Sequence, residues 1–147
     1  MLAARIILGT LSVAVTVMAA DFYGMWKLNL AKSKPGNGPA SETMKIEHTG
    51  PNTYRTTIDT VLNSGQTRHV EINRVLDGKE HPVTGVGVNP EGATEICQQL
   101  DASTHKVTQK RDGKTVSEFT STVSPDGKVM TNVRTGGGAG TLVFEKQ

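Results

Sequence analysis

The sequence predicts an all-β protein: an antiparallel up-and-down β-barrel of about eight to ten strands behind an N-terminal signal helix. Three observations carry that prediction. Apolar residues recur at alternate positions in segment after segment, the period of a strand with one oily face. Turn signals separate the segments at even spacing, with Asp-Gly at 77–78, 112–113 and 126–127, the pair that a tight hairpin tolerates best. No stretch beyond residue 20 sustains a 3.6-residue period. A meander of this size leaves two exposed edges unless it closes on itself.

Residues 1–20 read as a leader outside the fold. Arg5 gives a short basic start, Ile6 to Val17 is apolar, and Val17-Met18-Ala19-Ala20 ends in small residues. That is the order of a secretory signal peptide. Cleavage after Ala19 places Val17 and Ala19 at the specificity positions; an uncleaved anchor is the competing reading, since the apolar run approaches a membrane span. The expectation is an exported protein, periplasmic or extracellular, whose single domain runs from 21 to 147. It is not expected to insert in a membrane once the leader is removed.

Of 16 Lys+Arg against 14 Asp+Glu, only Arg5 lies in the leader, so the remaining chain is close to neutral. Such a balance argues against nucleic acid as a partner. The single cysteine, Cys97, cannot form an internal disulfide, and its strand-like surroundings suggest a buried spectator.

The first strand is the heaviest. In Gly24-Met25-Trp26-Lys27-Leu28-Asn29-Leu30 the only tryptophan alternates with two leucines. A Pro/Gly-rich loop, Ala31 to Ser41, follows. Thr43–His48 then carries Met44, Ile46 and His48 in phase, and Thr53–Leu62 carries Tyr54, Thr56, Ile58, Thr60 and Leu62. Gln66–Leu76 has Val70, Ile72, Arg74 and Leu76 in alternation, and a short piece spans His81 to Thr84. Ala93–Leu100 places Ile96, Gln98 and Leu100 together, and His105–Lys110 places His105, Val107 and Gln109 together. Lys114–Val123, Lys128–Thr135 and Thr141–Lys146 complete the meander. Threonine is abundant throughout, as on half-buried pleated surfaces.

Gly24-x-Trp26 on the first strand, the meander, and a last strand returning to the first resemble the calycin superfamily, the lipocalins and fatty-acid-binding proteins. Phe22 to Leu28 and Leu142-Val143-Phe144-Glu145-Lys146 resemble the two ends of the fatty-acid-binding branch, although the helix pair of that branch is replaced by the Pro/Gly loop. Closer still are small exported bacterial lipocalin-like proteins. They share a GTWKLN-x-x-KSK opening, a DGK-x-x-PVTG turn and a YEK ending, here Gly24 to Asn29 with Lys32-Ser33-Lys34, Asp77 to Gly85, and Phe144-Glu145-Lys146. The resemblance implies a barrel and, at one end of it, a basic side chain over Trp26: Lys146, or Arg134 in second place. It also implies polar anchors for a ligand's carboxylate, but Leu142, Phe144 and Thr120 occupy the aligned positions. Fatty acid therefore falls as a candidate, with Arg74 as a replacement anchor if it points inward.

The expected lining is Trp26, Leu28, Met44, Ile46, Tyr54, Ile58, Val70, Ile72, Ile96, Val107, Phe119, Val133, Leu142 and Phe144. Trp26, Tyr54, Ile58, Ile72, Arg74, Phe119 and Phe144 are the candidate ligand-binding residues. His48, His69, His81 and His105 stand far apart without metal spacing. Gly136 to Gly140 precedes no helix, so it is no phosphate loop, and no nucleophile or paired carboxylate signature appears. The expectation is a non-enzymatic barrel, with no cofactor and no metal, that binds a small, mostly apolar molecule. A ligand-free interaction or structural module is the alternative, and a haem-binding barrel through His48 or His105 stands third.

Overall fold

A computed structural model describes residues 21–36 and 38–147; the expected leader, residues 1–20, lies outside the described residues. Among these residues eleven strands form one antiparallel sheet: β1 (Gly24–Leu28), β2 (Ser41–Gly50), β3 (Thr53–Val61), β4 (Thr67–Val75), β5 (Glu80–Pro82), β6 (Thr84–Val86), β7 (Ala93–Asp101), β8 (Thr104–Arg111), β9 (Lys114–Val123), β10 (Val129–Gly136) and β11 (Gly140–Lys146). A single 3-10 turn, Leu30–Lys32, follows β1. The count exceeds the expected eight to ten, in part because the piece around His81 splits into two three-residue strands.

The sheet order is β5-β7-β8-β9-β10-β11-β1-β2-β3-β4-β6. The last strand returns to the first, with Trp26 opposite Lys146 and Leu28 opposite Phe144. The barrel is nearly closed, and its seam lies between β4 and β7. There β6 caps the edge of β4 and β5 caps the edge of β7. A lone parallel bridge, Leu76 to Cys97, spans the rest of the seam. Two short strands thus do what one long strand would, covering open edges that would otherwise template aggregation.

Alternation places Met44, Ile46, Tyr54, Val70, Ile72 and Val107 in the interior, as expected. On β7 the phase is reversed. Ala93, Glu95 and Cys97 are buried there, while Leu100 is 55% exposed. Ile96, expected inside, therefore lies on the outer phase with its phase-mates Gln98 and Leu100. The reason is a partner, since Glu95 turns inward to meet Arg74. Val133, expected inside, is 47% exposed, because Asn132 and Met130 hold the inner face of β10.

One barrel end is built around Trp26, which is fully buried, its indole N–H donating to the Phe22 carbonyl at 2.9 Å. Lys146 Nζ lies 5.3 Å from the indole centroid, the geometry of a cation over an aromatic face. Asp21 holds that ammonium at 3.0 Å. Gly24 has φ +119°, and a Cβ there would press on the Lys146 side chain at 3.0 Å, so the glycine makes room for the lysine.

The Pro/Gly loop runs along the other end. Lys34 pairs with Thr141 through both backbone hydrogen bonds, Ala40 donates to the Val61 carbonyl at 2.8 Å, and Asn63 donates to the Gly38 carbonyl at 3.1 Å. No helix among the described residues is long and apolar enough to cross a membrane.

Candidate functional site

The inner faces of the strands enclose a cavity of about 490 Å³, within the range of small-molecule sites. Its apolar wall comprises Met44, Ile46, Ile58, Val70, Ile72, Val107, Phe119 and Met130. Set into this wall are Arg68, Arg74, Arg134 and Glu42, with His105, Asn132, Ser121 and Thr56. Because Arg74 is paired with Glu95, it is Arg68 and Arg134 against Glu42 that give the cavity a positive bias.

Five of the candidate ligand-binding residues line this cavity: Tyr54, Ile58, Ile72, Arg74 and Phe119. Trp26 and Phe144 do not. Both are fully buried, packing into the core beside the cavity with Leu28 and Leu142. Leu142 and Phe144 face inward where the resemblance aligned polar anchors. Thr120 does not, because Phe119 and Ser121 hold the inner phase of β9; Thr120 stands between Lys106 and Val133 on the outer phase.

Arg74 is an interior residue, 5% exposed. Its Nε lies 3.2 and 3.4 Å from the two carboxylate oxygens of Glu95, itself 3% exposed. The guanidinium also sits over the Phe119 ring at 5.6 Å from the centroid. Burial works against its charge, but Glu95 and its other neighbours more than offset this, and the guanidinium holds its proton above the ordinary range. Arg74 and Glu95 also border a second cavity of about 430 Å³ at the seam, along with Thr49, Asn73, His81 and Cys97. The ion pair therefore stands as a partition between the two spaces.

The second polar station lies at the Pro/Gly-loop end. Glu42, 6% exposed, accepts from the Thr60 hydroxyl at 3.1 Å through Oε2. Its Oε1 is 3.6 Å from Arg134 Nη2, beyond hydrogen-bond length, and has no hydrogen-bond partner. Burial pushes the Glu42 carboxyl up from its usual range, against the pull of Arg134, Thr60 and Arg68. Arg134 donates to Asn132 Oδ1 at 3.2 Å, and Asn132 donates to the Ser121 hydroxyl at 3.1 Å. Glu42 and Arg134 escaped the sequence reading as lining residues. Glu42 shares its phase with Met44 and Ile46, and starting that strand two residues earlier would have placed it inside.

The histidines are spread over the molecule. His69 meets Asp59 at 2.6 Å and His81 meets Asp77 at 3.0 Å. His48 stacks on Tyr23 and His105 on Phe22, with centroids 3.4 and 3.9 Å apart. No group of three or more metal-ligating side chains occurs among the described residues.

No family profile matches the sequence, and no curated protein does. Solved structures do. The fluorescent protein UnaG in its wild-type form matches with a TM-score of 0.60 at 14% identity, over 86% of this chain and 97% of that one. A point mutant of UnaG matches with a TM-score of 0.57 at 17% identity, over 86% and 96%. At these identities the likeness is one of fold. What is shared is a nearly closed antiparallel barrel whose last strand pairs with its first.

Proposed function

We propose that this protein is an exported, non-enzymatic binder of a small amphipathic molecule, held inside the barrel with its apolar body against Met44, Ile58, Ile72 and Phe119. The observation that carries the reading is the cavity itself: about 490 Å³ of interior space among apolar walls, with three arginines at its edge and depth. A filled core would leave no such volume at native packing density. The arginines refine the expectation of a mostly apolar ligand to one that also bears an anionic group. Arg74 is answered by Glu95, but Arg68 has no ion-pair partner among the described residues and Arg134 stands 3.6 Å from Glu42, so an arriving anion would answer them. The leader order at Arg5, Ile6–Val17 and Ala19-Ala20 supports export.

Native mass spectrometry of protein purified from its own host tests the reading, followed by uptake assays with a panel of amphipathic acids. A co-purifying molecule or saturable uptake is expected, weakened at least tenfold by Ile58→Trp, which fills the cavity. A clean apo mass with no uptake from the panel would sink it in favour of a ligand-free module.

A further inference from the structure

The polar groups at the loop end of the cavity are arranged for a partner that the protein does not itself supply. Glu42 is more than nine-tenths buried, and one of its carboxylate oxygens has no hydrogen-bond partner. Arg134 stands 3.6 Å from that oxygen. Arg68, which lines the same end, has no ion-pair partner among the described residues. Two cations thus flank one acid at the rim. The groups that face Glu42 are Thr60 from β3, Arg68 from β4 and Arg134 from β10, while β1 and β11 present Leu28 and Leu142.

This charge balance favours an anion over a cation as the arriving group. An anion that comes within hydrogen-bond reach of Glu42 disfavours the ionised carboxylate and tightens its hold on a proton, since like charges in one site oppose each other. A neutral carboxyl, by contrast, gives its partnerless oxygen a use: it becomes an O–H donor, and short hydrogen bonds to an anionic oxygen are strong. Resting on the interior-binding reading, we propose that this rim is an anion subsite. Glu42, carrying a proton, donates through Oε1 to the anionic group of the bound molecule, and Arg134 and Arg68 supply the opposing charge. A proton is taken from solvent wherever Glu42 is ionised before the anion arrives, and no covalent bond changes.

The deep wall adds a second contact. Thr56 is 2% exposed and its hydroxyl lacks a partner. It stands opposite Ile46, four residues along β2 from Glu42, which at strand rise is about 13 Å from the rim. The bound molecule therefore carries its anionic group at one end and a hydrogen-bonding group about 13 Å further in, with an apolar body between them.

The subsite is tested with 1-anilinonaphthalene-8-sulfonate, whose sulfonate stays ionised throughout and whose fluorescence reports binding. For the wild type, the dissociation constant is expected to fall about tenfold from about pH 8 to about pH 5, because the bound anion makes Glu42 hold its proton more tightly than the free site does. Glu42→Gln, whose amide donates permanently, is expected to bind tightly and equally across that range. Arg134→Gln weakens binding at every pH. Near-ultraviolet circular dichroism shows that each variant is folded. Binding by the wild type that is flat with pH overturns the proton-coupled subsite alone. So does a Glu42→Gln protein that keeps the wild-type pH dependence, which would move the titration to His105. No fluorescence gain in any folded variant overturns both this subsite and the interior-binding reading.

Discussion

At the scale of single residues, burial decides chemistry here more than residue type does. Cys97 is 1% exposed, and burial together with the neighbouring Glu95 carboxylate pushes its thiol up to about 12. Thiolate is the reactive form, so the native protein at pH 8 should not react with Ellman's reagent, whereas the denatured chain should release one equivalent. Fast labelling of the native protein would contradict this burial. Arg74 and Glu95 pose the opposite problem, two charges that are tolerable only together. Arg74→Met strands Glu95 in the interior and is expected to cost about 3–5 kcal/mol in urea unfolding. Arg74→Met with Glu95→Leu should recover most of that loss, since a buried pair replaced by packed apolar groups is often neutral. If the single and double variants unfold alike, the pair is screened by water in the two cavities it separates.

At the scale of elements, what the sequence made legible followed from alternation, and what it hid followed from partners across the barrel. The phases of β2, β3, β4 and β8 were readable because apolar residues there mark one face without competition. On β7 the apolar residues Ile96 and Leu100 point the wrong way, because Glu95 is drawn inward by Arg74, twenty-one residues earlier in sequence. No local pattern contains that information. The Asp-Gly turns show the same limit at shorter range. Only Asp112-Gly113 has both residues at positive φ, 49° and 75°, as the expected turn type requires. Asp77 and Asp126 instead accept from the backbone amides of Lys79 and Lys128 at 2.9 and 3.1 Å, closing a turn by side chain. The seam strand β6 was legible only as a short piece, and a glycine makes it possible. Gly85 has φ +150°, and a Cβ there would overlap the Glu71 carbonyl of β4. Gly85→Ala should therefore detach β6 at a cost of about 1–3 kcal/mol. Hydrogen exchange should quicken at 71–73 and 84–86 while the β9–β10 amides keep their protection; uniform acceleration would mean that β6 is integral to the whole barrel.

At the scale of the whole molecule, a barrel without disulfides must hold its shape by burial and sheet pairing, and charged groups set into its interior work against both. The sequence announced the closure, through Trp26 and the returning last strand. It could not announce the cavity, because the same alternating pattern describes a filled barrel and a hollow one. The difference lies in side-chain volumes summed around the barrel, and in Glu42 and Arg134 being inside at all. Glu42 makes that cost measurable as a pH dependence of the ligand-free fold. Its folded carboxyl holds its proton to higher pH than the unfolded chain does, because burial disfavours the charge. The favourable contribution is then complete below the unfolded value, near 4.5, and is lost as pH rises through the folded one. Glu42→Gln removes the titration and keeps a neutral side chain of the same shape. Its stability should therefore match the wild type's at about pH 4 and exceed it increasingly as pH rises. The gain levels off at about 1.4 kcal/mol for every pH unit that separates the folded from the unfolded pKa. Urea unfolding of both proteins across that range measures the difference directly. A difference that stays constant with pH would mean that Glu42 titrates alike in the folded and unfolded chain, and one that shrinks as pH rises would mean that Arg134 holds its folded carboxyl ionised.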